Sequence, residues 1–249
     1  KYKGEIHFST GSNTARSSSN FYALNNAIAT LFEIRGVGIG KTSFKRRINS
    51  GLSVGFSFLK TAYENSIFIF DEIAKANTYS NVIVLEHQRS IYTDVIKAID
   101  IGSNEMIDFE TTMHSSKDSY AISKRDRPLA YIIKQNNFGF IEKLKDVGID
   151  YVELQKDTVI YSGGYRVIEF NDNFKVYEKM RMQKVVTSIE YNDNGFSKGD
   201  ILISMNQKRS NLIAELLEPE APNSYVSFGI INTSLNSQLP IYRIKNLNN

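Results

Sequence analysis

The chain has 249 residues, 41% of them apolar, including 15 Phe and 14 Tyr, which supplies a packed core and excludes disorder as the main state. Lys and Arg number 30 against 27 Asp and Glu, so the net charge of +3 is too balanced for a dedicated nucleic-acid binder. Cysteine is absent, which excludes disulfides, thiolate zinc sites and a cysteine nucleophile, and no run approaches the roughly 20 apolar residues that span a bilayer.

A prior of roughly 150 residues per domain allows one or two domains. The chain starts at Lys1 with no signal peptide before it, and is expected to be a piece of something longer. Ser9 to Asn20 is a loop by composition. Asn20 is the expected N-cap of a helix carrying Phe21, Leu24, Ala27 and Ile28 at helical spacing. Ala29 to Ile34 reads as a buried strand, and Gly36 to Gly40 as a glycine-rich turn. From Thr42, Phe44, Ile48, Leu52, Phe56 and Leu59 recur every three or four residues, which predicts a long amphipathic helix. Asn65-Ser66 breaks or restarts it before Ile67, Phe70, Ile73 and Ala74.

Asn77 to Asn81 reads as a linker and Val82 to Leu85 as a strand, while Ile101 to Arg127 is polar and resists assignment. Leu129–Ile133, Phe138–Val147 and Tyr151–Leu154 read as strand, helix, strand, with Gly148 as the helix stop. Short strands follow at Thr158–Ile160, Tyr165–Phe170, Val185–Tyr191, Ile201–Met205, Tyr225–Ile230 and Ile241–Ile244, with a short helix at Leu212–Leu217. All four prolines lie beyond residue 127, and five of the 15 glycines fall between Gly36 and Gly55, so the two parts differ in local chemistry.

Gly36-Val37-Gly38-Ile39-Gly40-Lys41-Thr42 is placed like a phosphate loop, after an expected strand and before a helix. Ile67 to Phe70 followed by Asp71-Glu72 would then be an apolar strand ending in magnesium-binding acids. The spacing argues against a nucleotide triphosphatase. The first glycine of that motif should be residue 35, which is Arg, and the acid pair follows within 30 residues. Ile67, Phe70, Ile73 and Ala74 also fit a helix.

The run from Ala23 to Gly36, with Glu33, Arg35, Gly36, Gly38, Gly40 and the basic Lys45-Arg46-Arg47, resembles the last part of the catalytic domain of the zinc carboxypeptidase (metallocarboxypeptidase) family. It is similar above all to bacterial-type members with a Glu-x-Arg-Gly element. Arg127-Pro128-Leu129-Ala130-Tyr131 and Leu216-Leu217-Glu218-Pro219-Glu220 resemble motifs of the extra C-terminal domain in the same group. The resemblance implies an α/β fragment over residues 1–76, the end of a carboxypeptidase-like catalytic domain. An α+β, β-rich accessory domain with a βαβ-like unit would follow over residues 77–249. The implied activity is hydrolysis of peptide bonds near a C-terminus, on peptide or protein substrates, in a periplasmic or secreted setting.

In that family a zinc-bound water attacks the scissile carbonyl while a nearby carboxylate takes its proton and passes it to the departing amine. The resemblance implies that Glu33 is this general base. Arg35, two residues along and on the same face of a strand, is a substrate-binding candidate; an ordinary Glu33–Arg35 ion pair is the alternative. Arg16 lies in the loop that lines the side-chain pocket in relatives and would favour acidic side chains, or is a solvated loop arginine. The family's zinc pair is His-x-x-Glu, but residues three beyond His7, His87 and His114 are Thr10, Ser90 and Lys117. Zinc is therefore expected in the full-length parent and not in this chain. A family tyrosine expected near Phe8 to Gly11 is also missing. Lys41, Lys45, Arg46 and Arg47 read as a solvated basic face. A non-catalytic binding or assembly module derived from the family is the second reading.

Overall fold

The computed structural model describes residues 7–11, 14–34, 40–76, 80–134 and 138–245. The first helix, α1 (Ser18–Leu24), starts one turn earlier than expected, with extended Ser17 at the N-cap. The amide of Asn20 is turned back on the loop, donating to the Thr14 carbonyl at 2.9 Å, and does not cap. Asn26 adopts a φ of 53°, and this left-handed residue ends the helical path before Ala27 and Ile28. A single 3-10 turn, Gly40–Ser43, leads into α2 (Phe44–Glu64), and α3 (Ser66–Ala76) follows. Asn65 separates them as expected: its side chain donates to the Thr61 carbonyl at 2.8 Å. Ile67 to Glu72 is therefore helical, and Glu72 pairs with Lys75 at 2.5 Å. The magnesium-binding strand of the triphosphatase reading does not form. Gly36 to Ile39 lie outside the described residues. Among the described residues no helix is long and apolar enough to cross a membrane.

Strands β1 (His7–Thr10), β2 (Val82–Ile99) and β3 (Met106–Asp126) form a three-stranded sheet in the order β1-β3-β2. β2 and β3 are an antiparallel ribbon, and β1 runs parallel to β3. Two expectations change here. The strand expected at Val82–Leu85 runs on to Ile99, and the unassigned polar stretch is β3. Most of this ribbon meets water on both faces, so no core face imposes the alternation that marks a half-buried strand. The turn at its tip is set by Asp100, whose carboxylate accepts from the Gly102 N–H at 3.0 Å and from Ser103 Oγ at 3.1 Å. These bonds lower its pKa, the Gly102 contact most.

The second sheet contains β4 (Ala130–Ile133), β5 (Val152–Glu153), β6 (Thr158–Tyr177), β7 (Met180–Phe196), β8 (Ile201–Ser204) and β9 (Gln238–Ile244), in the order β5-β8-β4-β9-β6-β7. Every neighbouring pair is antiparallel. β4 and β5 both oppose β8, so they are parallel to each other, joined through α4 (Phe138–Asp146). This is the βαβ-like unit read from sequence, with β8 inserted between its strands. Gly148 stops α4 with a φ of 69°. The Ile149 N–H reaches the Leu144 carbonyl at 2.9 Å and the Gly148 N–H reaches Lys145 at 2.8 Å, a Schellman closure.

Central β4 is buried on both faces. Tyr131 and Ile133 join the main core with Ile203, Ile241 and α5 (Ser210–Leu217), while Ala130 and Ile132 join Phe196, Tyr242 and Ile244 behind. Ile83 and Leu85 of β2 also enter the main core. The expected strands Thr158–Ile160 and Tyr165–Phe170 are parts of one long β6. Tyr225–Ile230 is not a strand. The N–H groups of Ile230 and Ile231 both fold back to the Tyr225 carbonyl, at 2.8 and 3.0 Å, through Gly229 at a φ of 65°. Tyr225 and Val226 are buried and Phe228 and Ile230 half-buried within this turn, which a short apolar run does not distinguish from a strand.

Candidate functional site

The segment holding Glu33 departs from expectation. Residues 27–34 form no strand, and Glu33 is exposed, with Leu31 at 65% and Phe32 at 50% exposure beside it. A strand needs a neighbour for its backbone groups, and none pairs with it among the described residues. The segment lies instead along the helices. Phe32 meets Phe58 edge-on at 6.2 Å, and Ile34 fills the space over Gly51. An apolar groove of about 760 Å³ runs between Ile28 and Phe32 on one side and Val54, Phe58, Ile69 and Ile73 on the other. Arg35 lies outside the described residues, so its expected place beside Glu33 does too.

Arg16 lies elsewhere, on a cavity of about 680 Å³ bounded by the α1 region, the ribbons β2–β3 and β6–β7, and the turn after α5. The structure does not bring Glu33 into that cavity. Arg16 is exposed; its guanidinium pairs with Glu178 at 2.6 Å and lies 4.8 Å from the ring centres of both Tyr177 and Phe228.

The strongest concentration of buried charge surrounds Glu218. Pro219 forbids further helix, so Glu218 caps α5 in an extended conformation and its side chain turns into the core. There it is fully buried. Tyr131 Oη donates to its Oε1 at 2.5 Å, Arg125 donates to its Oε2 at 2.6 Å, and Arg243 Nε stands 3.2 Å from Oε1. Tyr131 and Arg243 are cross-strand partners in the β4–β9 register, which aims both at the same point. Arg243 also donates to the Asp126 carbonyl. Glu220 continues the cluster, accepting from Arg125 at 2.8 and 3.1 Å and from the Thr187 N–H at 2.9 Å. Ion pairing holds the Arg125 guanidinium protonated far above any working pH, despite its desolvation.

The two motifs recognised in sequence, Arg127 to Tyr131 and Leu216 to Glu220, thus meet through Tyr131 and Glu218. Arg127 secures the approach, bonding the Ser80 carbonyl at 2.9 Å and Asn211 Oδ1 at 2.7 Å. Sequence reading passes over Arg125 and Arg243, because a lone arginine at a strand end carries no sign of its distant partner. Each charge in the cluster faces an opposite charge, and Glu220 at its edge also lines the cavity beside Arg16.

Among the described residues no group of His, Asp and Glu gathers that could hold a metal. His7 and His114 face each other on β1 and β3, ring centres 5.0 Å apart, without a gathered carboxylate. The residues described therefore do not fit a zinc site.

Comparison with known proteins follows the sequence motifs. The chain is 27% identical to Carboxypeptidase 2 of Trichophyton equinum over 235 residues, 93% of this chain and 44% of that protein. Carboxypeptidase 2 of Trichophyton rubrum matches equally, at 27% over 235 residues. Probable carboxypeptidase 2 of Arthroderma benhamiae is 25% identical over 208 residues, covering 82% of this chain and 40% of that protein. The chain spans less than half the length of the curated relatives it matches. These names support a carboxypeptidase family, and the organisms are fungi where a bacterial type was expected. No family model matches the chain, and no solved structure does.

Proposed function

We propose that residues 1–76 are the last part of a carboxypeptidase-like catalytic domain, that residues 77–249 are its β-rich accessory domain, and that the whole protein is a zinc-dependent, periplasmic or secreted peptidase acting near peptide C-termini. The observation that carries this reading is that similarity to proteins named carboxypeptidases runs through both parts in one stretch. The helices add support. α2 and α3 bury no residue, and Phe44, Phe56, Leu59, Ile67, Phe68 and Phe70 all stay exposed. An apolar surface that large on two helices calls for a partner surface, which a catalytic-domain core would provide. The zinc ligands belong, in this reading, to a segment outside this chain.

Glu33 keeps the general-base role: its carboxylate would accept a proton from the attacking water and return it to the leaving amine. Its exposure in an irregular segment beside the apolar groove suits a group that needs the rest of the domain to enclose it. Glu33→Gln keeps the size and removes the acceptor. In the complete protein we expect the peptidase rate to fall about 10²–10⁴-fold, with zinc content unchanged. An unchanged rate would make Glu33 structural and remove the assignment. Arg16 and Arg35 remain substrate-binding proposals, the first already committed to Glu178. The non-catalytic binding module derived from the family is the second reading. A His-x-x-Glu pair upstream in the complete reading frame separates the two.

A further inference from the structure

The cavity beside Arg16 has a second set of residues that the peptidase reading leaves unused. Lys117 of β3, Lys175 of β6 and Lys184 of β7 stand on its lining, and none of them is in an ion pair among the described residues. Two share one ring: Lys184 Nζ lies 5.1 Å and Lys175 Nζ 5.8 Å from the centre of the Phe174 ring. Both ammonium groups are exposed to water, so the ring attracts them only weakly and leaves them available to an anion. The acids of the lining do not offset them equally. Glu220 is engaged by Arg125 and Thr187, and Glu215 accepts from Asn223 at 2.7 and 3.2 Å; Glu86 is the remaining carboxylate.

The inner wall is apolar, from Leu24, Leu85, Met182 and Phe228. We propose that this cavity binds an acidic peptide segment, with carboxylates on Lys117, Lys175 and Lys184 and apolar side chains on the inner wall. That the anion is a peptide rests on the carboxypeptidase reading; the charge and the wall stand without it.

The test is fluorescence anisotropy with a fluorescein-labelled peptide alternating Glu and Leu, titrated with the 249-residue chain. The controls are the same peptide with Lys for Glu and a short single-stranded DNA of matched charge. We expect saturable binding of the acidic peptide only, weakened by salt and weakened about tenfold or more by Lys175→Glu with Lys184→Glu, because reversed charges now repel the ligand. Lys117→Glu, on a different strand, gives an independent variant should the double change unfold the β6–β7 ribbon, and circular dichroism checks each fold. Equal binding of the Lys peptide or the DNA, or unchanged affinity in folded charge-reversed variants, overturns the inference. Cleavage of uncharged peptides by the complete protein would leave the peptidase reading intact in that event.

Discussion

Tyr131 and Tyr165 are both fully buried, and both hydroxyls are pushed far above the ordinary tyrosine range, mainly by desolvation and then by the Glu218 charge. They differ in one bond. Tyr131 Oη donates to Glu218, whereas Tyr165 Oη has no hydrogen-bond partner among the described residues. Tyr131→Phe should therefore lower stability by about 1–3 kcal/mol, since it strips a donor from a buried carboxylate, while Tyr165→Phe should be neutral or stabilising. Urea unfolding of the two variants side by side checks this; equal losses would refute it. Glu215 offers a test in pH. Burial raises its pKa above the usual carboxylate value, only partly offset by the bonds from Asn223. A carboxyl that binds its proton more tightly folded than unfolded loses stability as pH rises through the window between the two values. Glu215→Gln keeps the acceptor for Asn223 and carries no charge. We expect the variant to gain on wild type as pH rises above the usual carboxylate range, and a pH-independent difference would show that the carboxyl is not strained. At this scale the sequence marks Tyr131 and Glu218 as parts of motifs. It does not reveal that they touch, because 87 residues separate the two ends of the bond.

Local periodicity marks helices whether or not their apolar face is covered, since α2 and α3 bury no residue. α2, α3, α4 and α5 all follow the spacing of their apolar residues, and Gly148 ends α4 where a left-handed residue is needed. The long ribbons were legible only in pieces. Their outer halves have no buried face, so composition there reports solvent and says nothing about backbone pairing. Gly163 shows what pairing demands in the buried part of β6. A Cβ at this position would lie 2.7 Å from Ile189 Cγ2 and from Tyr191 Cζ on β7. Gly163→Ala should force these side chains aside and cost about 1–3 kcal/mol through overpacking, against the small gain in strand propensity. The check is the urea midpoint; a stabilised variant would mean that the β6–β7 contact yields freely.

Two large features lie at the scale of the whole molecule. The apolar faces of α2 and α3 are visible in the sequence as amphipathic spacing, but their partner is not, since periodicity identifies a face and not what covers it. The relation of the two sheets is likewise invisible before folding. Arg125 stands at the end of β3, and its guanidinium reaches both Glu218 and Glu220 beyond α5. Next to it, the Asp126 carbonyl is held by Arg243 of β9. Arg125 thereby adds an ionic tie to the apolar contact of Ile83 and Leu85, coupling the melting of the ribbon sheet to that of the antiparallel core. With Arg125 in place, heat should take the two sheets apart in one cooperative transition. Replacing it with Met leaves two carboxylates facing an apolar stem, and calorimetry should then resolve an early ribbon transition ahead of the core. The ribbon would become the first part of the protein to let go on warming, and the first to exchange its amide protons.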